Sequence, residues 1–135
     1  MSSSENHGQK SSETSASDSQ ILDARIMASL RELQADDEPN FLIDIIDTFL
    51  EDGPKRLEAI QNAISLGDSE QLHRLAHSFK GASSSLGALS FSKVCGAIEE
   101  VGRSGSIAEA EPLFSILLQD YEKVRVALVQ ERDNS

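Results

Sequence analysis

A histidine at position 77 stands in a sequence context that suits chemistry on its imidazole ring. The segment Ala76-His77-Ser78-Phe79-Lys80-Gly81 lies in a stretch whose apolar residues recur at steps of three and four, the period of one buried helix face. At about 100° per residue, His77 falls roughly 140° from that face, so its side chain is predicted to point to solvent. Histidine side chains are mostly neutral, and therefore nucleophilic, at neutral pH.

Lys80 and Gly81 follow His77 by one helical turn and share its outward side. Lys80 can contact an anion held on the ring, and at a wet surface such a pair contributes only about 1 kcal/mol. Glycine inside a helix costs about 0.5–1 kcal/mol relative to alanine, yet its bare backbone would let a partner approach the imidazole. The pattern favours transient handling of a phosphoryl group. The alternative interpretation of the same residues is an ordinary solvated histidine near a glycine that occurs there by chance.

His73 and His77 are also spaced to bind a metal from one helix face. The metalloprotease pattern would need glutamate at position 74, where the residue is Arg74. The remaining nitrogen or sulfur ligands are His7, in the amino-terminal tail, and Cys95, which is predicted to point inward. We therefore predict no metal site and no cofactor bound by this chain.

The composition narrows the classes of partner and compartment. A net charge of −11 disfavours nucleic acid and anionic membrane surfaces. No apolar run is long enough to span a bilayer, the start of the chain does not resemble a signal peptide, and a single cysteine excludes an internal disulfide. A cytoplasmic protein is expected. The segment 69–85 has one acid against two cations and two histidines, so a locally basic face is predicted there, unless the spacing is chance.

Three regions are predicted along the chain. Residues 1–20 hold eight serines and almost nothing apolar, so they are expected to be a disordered tail or linker. Residues 21–131 form a helical domain, and residues 132–135 are expected to be a disordered carboxyl terminus.

The first half of the domain reads as three helices followed by the helix of His77. Asp23 is a plausible cap for the first helix, and Pro39 opens the second. Gly53-Pro54 is predicted to end the second helix and to start a third, which stops at Gly67. Asp68 and Gln71 are predicted to form a capping box at the start of the His77 helix, which is predicted to end near Gly87.

Two more helices follow, and no strand alternation competes with them. Ser90 begins the first of these, and a turn is predicted from Gly102 to Gly105. The last helix starts either at Ser106, in a possible capping box, or near Pro112, at a first turn. Short connections favour antiparallel neighbours, so the fold class is all-α: an antiparallel up-and-down four-helix bundle with additional short amino-terminal helices.

The segment Ala76 to Ala88 resembles the signature of histidine-containing phosphotransfer (HPt) domains of bacterial two-component phosphorelays. In that signature a phosphorylatable histidine precedes Lys-Gly, then small residues and a second glycine, as His77, Lys80, Gly81 and Gly87 do here. The resemblance extends from about residue 22 to residue 128. It departs where aromatic Phe79 follows Ser78, a place at which many relatives carry aliphatic residues.

The resemblance implies a role for each matching residue. His77 would take a phosphoryl group from a receiver-domain aspartate and pass it to another receiver, and Lys80 would assist electrostatically. Gly81 would open space beside the ring, and Gly87 would help to end or pack the helix. The surrounding residues are expected to be His73, Arg74 and Ser84. The Mg²⁺ for transfer would belong to the receiver, and the domain is expected to be a monomer.

The first hypothesis is thus a phosphorelay intermediate, a stoichiometric carrier and not an enzyme, because no nucleotide-binding site or nucleophilic triad is visible. Its partners would be response-regulator receiver domains and a sensor or hybrid histidine kinase. One alternative is the phosphotransfer module of a hybrid or chemotaxis-type kinase, phosphorylated through a separate ATP-binding domain. Another is a four-helix adaptor that binds a partner helix without phosphate chemistry.

Overall fold

The computed structural model describes residues 21–34 and 40–134, which contain five α-helices and one 3-10 turn. In chain order these are α1 (Ala24–Leu33), α2 (Phe41–Leu66), α3 (Ser69–Ser85), α4 (Leu89–Ser104), the 3-10 turn (Ile107–Glu109) and α5 (Ala110–Asp133). These residues include no strand, so the prediction of an all-α fold is confirmed. The predicted tail 1–20 and the helix start at Pro39 lie outside the described residues.

Helices α2 to α5 close into a four-helix bundle. Helix α2 packs against α3 and α5, and α4 packs against the same two helices from the other side. The short connections make consecutive helices antiparallel, as predicted. The short α1 contacts α2 and is tied to α5 by an ion pair of 2.6 Å between Arg31 and Glu131. An aromatic cluster lies in the core: Phe49, Phe79, Phe91 and Tyr121.

The predicted cap of α1 is confirmed, and Asp68 caps α3 as predicted. The reciprocal half of the capping box is not formed, because the Asp68 N–H donates to the Ala63 carbonyl at 2.9 Å and the Gln71 side chain accepts from Arg74 at 2.6 Å. The Asp23 carboxylate accepts hydrogen bonds from the backbone N–H groups of Arg25 and Ile26, at 2.9 and 3.0 Å. Asp68 accepts from the N–H of Gln71 at 3.1 Å, after Gly67 has ended α2 in the left-handed region at φ +68°. These local bonds fix where α3 begins, and thereby which of its residues face the core.

The predicted helix break at Gly53-Pro54 is wrong, because α2 runs without interruption through both residues. Proline removes only one backbone donor, and burial of the long apolar face on both sides of it outweighs that loss. Gly53 is buried for a different reason. A Cβ atom there would lie 2.1 Å from the hydroxyl oxygen of Tyr121, so the glycine permits close packing of α2 on α5.

Two predictions in the second half also need correction, and of the two starts left open for the last helix the one near Pro112 is confirmed. Helix α4 continues to Ser104 with Gly102 buried inside it, and the turn occurs at Gly105, at φ +82°. The Ser106 side chain makes no capping bond, and Pro112 lies in the first turn of α5 instead. The carboxyl terminus predicted to be disordered is helical to Asp133, where Arg132 pairs with Asp47 of α2 at 2.9 Å.

Candidate functional site

Helix α3 presents His77 on its outer face, as its sequence period predicts. Leu72, Ala76 and Phe79 of the same helix are fully buried, and this apolar stripe sets the rotation of α3 on the bundle. The His77 side chain is 66% exposed. The imidazole is therefore open to a partner.

A carboxylate from α4 orients the exposed ring. The Nδ1 atom of His77 lies 2.9 Å from Oε2 of Glu99. Because an ionised carboxylate can only accept, Nδ1 must carry the proton and donate it into this bond. In the neutral ring the lone pair then belongs to Nε2. The geometry selects Nε2 as the nucleophilic atom.

Glu99 is ionised although its side chain is only 8% exposed. The Lys80 ammonium lies 2.7 Å from Oε1 of Glu99, and this hydrogen bond is the largest factor that lowers the pKa of the carboxyl group. Burial raises this pKa, but by less than the Lys80 bond lowers it, and the bond from His77 lowers it further. Two donors, one on each oxygen, thus compensate the buried charge.

The contact of Glu99 with His77 is not predicted by the sequence alone. One signal was available, because Glu99 falls within the inner stripe of its helix, next to Ile98 and one turn from Cys95. An acid at such a position must find a partner. The partner belongs to another helix, however, and the pairing becomes visible only once the register between α3 and α4 is known.

The charges around His77 also come from helices other than its own. Glu99 of α4 pairs with Lys80, and Arg56 of α2 binds the hydroxyl of Ser78, the residue after His77. Arg74 also has an acidic neighbour, Glu70, at 3.6 Å. Lys80 and Arg74 therefore each have an acidic neighbour, while Arg56 adds a cation beside the site.

His73 lies next to His77 and shares its partner residue. The Nδ1 atom of His73 is 3.2 Å from the backbone carbonyl oxygen of Glu99, and the two imidazole rings are stacked with centroids 6.4 Å apart.

The part of the chain that the structure describes holds no group of three or more acids, histidines and cysteines able to bind a metal ion. Cys95 is buried, as predicted, and burial raises the pKa of its thiol to about 12.

The two glycines of the motif differ in what surrounds them. A Cβ atom at Gly81 would have nothing within 4 Å, so no packing inside the chain requires glycine there. At Gly87, φ is +84° and a Cβ atom would lie 3.2 Å from the backbone nitrogen of Asp23. Gly87 both ends the helix and packs it against the start of α1, whereas Gly81 leaves open backbone beside His77. Ser84 bonds within its own helix, to the carbonyl of Lys80 at 2.8 Å.

A shallow cavity of about 230 Å³ lies next to the Gly81 side of α3. Arg56, at its border, donates to the Ser78 hydroxyl at 2.8 Å and lies over the Phe79 ring, 5.5 Å from its centroid. The lining is mainly apolar and comes from α1, α2 and α3, with these members: Leu30, Ile45, Thr48, Phe49, Asp52, Arg56, Ala82, Ser85 and Leu86.

The described residues contain no helix long and apolar enough to cross a bilayer.

Comparison with known proteins gives consistent similarities. Residues 44–127 match the family model of the Hpt domain. Histidine-containing phosphotransfer protein 4 of Arabidopsis thaliana is 30% identical over 109 residues, which cover 79% of this chain and 85% of that protein. Multistep phosphorelay regulator 1 of Schizosaccharomyces pombe is 32% identical over 85 residues, which cover 63% of this chain but 29% of the regulator.

A solved structure is similar over most of both chains. The crystal structure of histidine-containing phosphotransfer protein B (HptB) from Pseudomonas aeruginosa PAO1 superposes with a TM-score of 0.78 at 35% identity. The match covers 85% of this chain and 96% of that one. The similarity thus includes the bundle that carries His77 and Glu99.

Proposed function

As a member of the Hpt domain family, this chain is a phosphorelay intermediate, and we propose that His77 is the residue that carries its phosphoryl group. The observation that supports His77 is the 2.9 Å contact between its Nδ1 and Glu99. This contact leaves the lone pair on Nε2 of a ring that is 66% exposed. His73, by comparison, directs its Nδ1 to a neutral backbone carbonyl.

The proposed donor is the phosphorylated aspartate of a receiver domain. Nε2 of His77 attacks phosphorus, the bond from phosphorus to the aspartate oxygen breaks, and the carboxylate leaves with its electron pair. The imidazole keeps its Nδ1 proton and gains positive charge as the new bond forms. Glu99 stabilises that charge through the hydrogen bond already in place. Transfer to a second receiver reverses these steps, with an aspartate carboxylate attacking and Nε2 leaving.

Lys80 is proposed to contact the phosphoryl oxygens. Its ammonium is bound to Glu99 at 2.7 Å and its side chain is 39% exposed, so it can turn between the carboxylate and a group on Nε2. At such an exposed position the attraction amounts to about 1 kcal/mol. This strength suits a carrier that must release its cargo, and we assign the Mg²⁺ for transfer to the acidic pocket of the receiver.

The open backbone at Gly81 is proposed as the place where the receiver approaches. Because a Cβ atom at Gly81 would meet nothing within 4 Å, a partner surface can come close to the ring, and the adjoining apolar cavity offers area to bury. In this role the protein acts as a stoichiometric carrier, with no turnover of its own. We expect the protein in the cytoplasm. Its partners there would be a sensor or hybrid kinase and receiver domains.

The test is transfer of ³²P from a phosphorylated receiver domain to the full chain. The expected product is a labelled band that is stable to base and labile to acid, absent from His77→Gln and retained in His73→Gln as the matched control. Undiminished label in His77→Gln would move the assignment to another residue. Partner binding without any label, preserved in His77→Ala, would instead support an adaptor.

A further inference from the structure

The pairing of Glu99 with His77 depends on how closely α3 and α4 approach, and at Gly102 the two helix backbones lie in close contact. A Cβ atom at Gly102 would lie 2.6 Å from the backbone nitrogen of His73 and 2.8 Å from the carbonyl oxygen of Ser69. These are helix backbone atoms, which cannot rotate aside as the end of a side chain can. Gly102 lacks the positive φ that marks Gly67, Gly87 and Gly105. Close approach therefore explains this glycine, and backbone conformation does not.

The register of the two helices links this crossing to the proposed acceptor. Gly102 follows Glu99 by three residues in α4, and His73 precedes His77 by four residues in α3. Because the helices are antiparallel, the crossing at Gly102 lies about one turn from the contact between Glu99 and His77. A second bond, from His73 to the carbonyl oxygen of Glu99 at 3.2 Å, joins the helices between these two points.

We propose that Gly102 is a positioning residue for the phosphoryl acceptor, an inference that rests on the proposed function of His77. The missing side chain lets α4 approach until the Glu99 carboxylate reaches Nδ1 of His77, and this bond keeps the lone pair on Nε2. A side chain at Gly102 would force α4 to retreat by roughly 0.8 Å to reach ordinary contact distance. Since N–H···O bonds span about 2.7–3.2 Å, such a retreat breaks a bond of 2.9 Å.

The experiment compares Gly102→Ala with the parent chain by ¹⁵N NMR of the His77 ring and by the rate of phosphorylation with phosphoramidate. This small donor requires no docking surface, so the rate reports on the acceptor alone. In the parent, Nδ1 is expected to carry the proton. In Gly102→Ala, the proton is expected to shift toward Nε2, and the rate is expected to fall about tenfold, the effect of losing one charge-assisted hydrogen bond.

A double variant separates positioning from general damage. If Gly102 acts through Glu99, adding Gly102→Ala to Glu99→Ala should change the rate little further, because the carboxylate is already absent. Gly53→Ala is the matched control. It adds a methyl group at a different buried helix crossing, against Tyr121, and is expected to lower stability without moving the His77 proton.

The results have distinct meanings. Unchanged protonation and rate in folded Gly102→Ala would overturn the proposal, as would full additivity with Glu99→Ala. If Gly102→Ala does not fold, Glu99→Ala is measured alone: an unchanged His77 proton in that variant would show that the bond to Glu99 does not set the protonation of the ring, and would equally overturn the proposal. A shifted proton with phosphorylation on another residue would uphold the positioning and refute the function proposed for His77.

Discussion

The imidazole of His77 combines exposure with a fixed orientation, two properties that usually exclude each other on a protein surface. Its outer edge is open to solvent, while Nδ1 is held by a carboxylate that is almost fully buried. The carboxylate remains ionised at that depth because Lys80 binds its other oxygen and offsets the cost of burying the charge. The reactivity proposed for His77 therefore depends on three side chains from two helices and not on the histidine alone.

Glu99→Gln tests the charge of that carboxylate through the pH dependence of stability. The pKa of the Glu99 carboxyl is lowered in the folded protein, chiefly by Lys80, from an ordinary value of 4.5. Its stabilising contribution is therefore complete above pH 4.5 and is lost as the pH falls through the lower folded pKa. We expect the advantage of the parent over Glu99→Gln in urea unfolding to shrink below pH 4.5. A difference that stays constant across this range would show that Glu99 is not the ionised partner of Lys80.

At the scale of the helices, local signals predict starts and stops well where the cause is local. The carboxylates of Asp23 and Asp68 cap the helices they precede, and Gly67 ends one. The same rules predict breaks at Gly53 and Gly102, and both predictions are wrong. Each is buried and fits against a helix distant in sequence, so its reason could not be found within its own segment.

Gly87→Ala is expected to destabilise the junction between α3 and α1. The residue has φ +84°, and an added Cβ would press on the Asp23 backbone and the Ile26 side chain at 3.2 and 3.3 Å. Left-handed backbone costs an L-residue about 1–2 kcal/mol, and the free energy of unfolding in urea should fall by at least that amount. Since His77 is more than two turns away, its ring protonation should be retained. Unaltered stability would mean that the junction relaxes freely.

Pro54→Ala is expected to stabilise α2. The proline lies inside the helix on an exposed side, and alanine would restore the N–H donor that the proline ring removes. Intrinsic helix preference favours the change by up to about 3 kcal/mol, reduced by the more flexible unfolded chain. We expect a gain of about 1 kcal/mol in urea unfolding. A loss of stability would indicate that α2 needs the proline to curve around α5.

At the scale of the whole molecule, the fold and part of the site follow from the sequence. The helical periods predict an all-α bundle, and the spacing of His77, Lys80 and Gly81 indicates phosphoryl transfer. The role of Glu99 could not be predicted, because it arises from the register between two helices. The charges around His77 could not be predicted for the same reason, since Glu99 and Arg56 come from helices other than that of His77.

The central claim is that Nε2 of His77 receives the phosphoryl group. It is tested most directly by phosphorylating ¹⁵N-histidine-labelled protein with a phosphorylated receiver domain and recording ³¹P–¹⁵N coupling. We predict one phosphorus bonded to Nε2 of His77, with Nδ1 still protonated and bound to Glu99. Phosphorus bonded to Nδ1 of His77, to His73, or to no histidine would contradict the account.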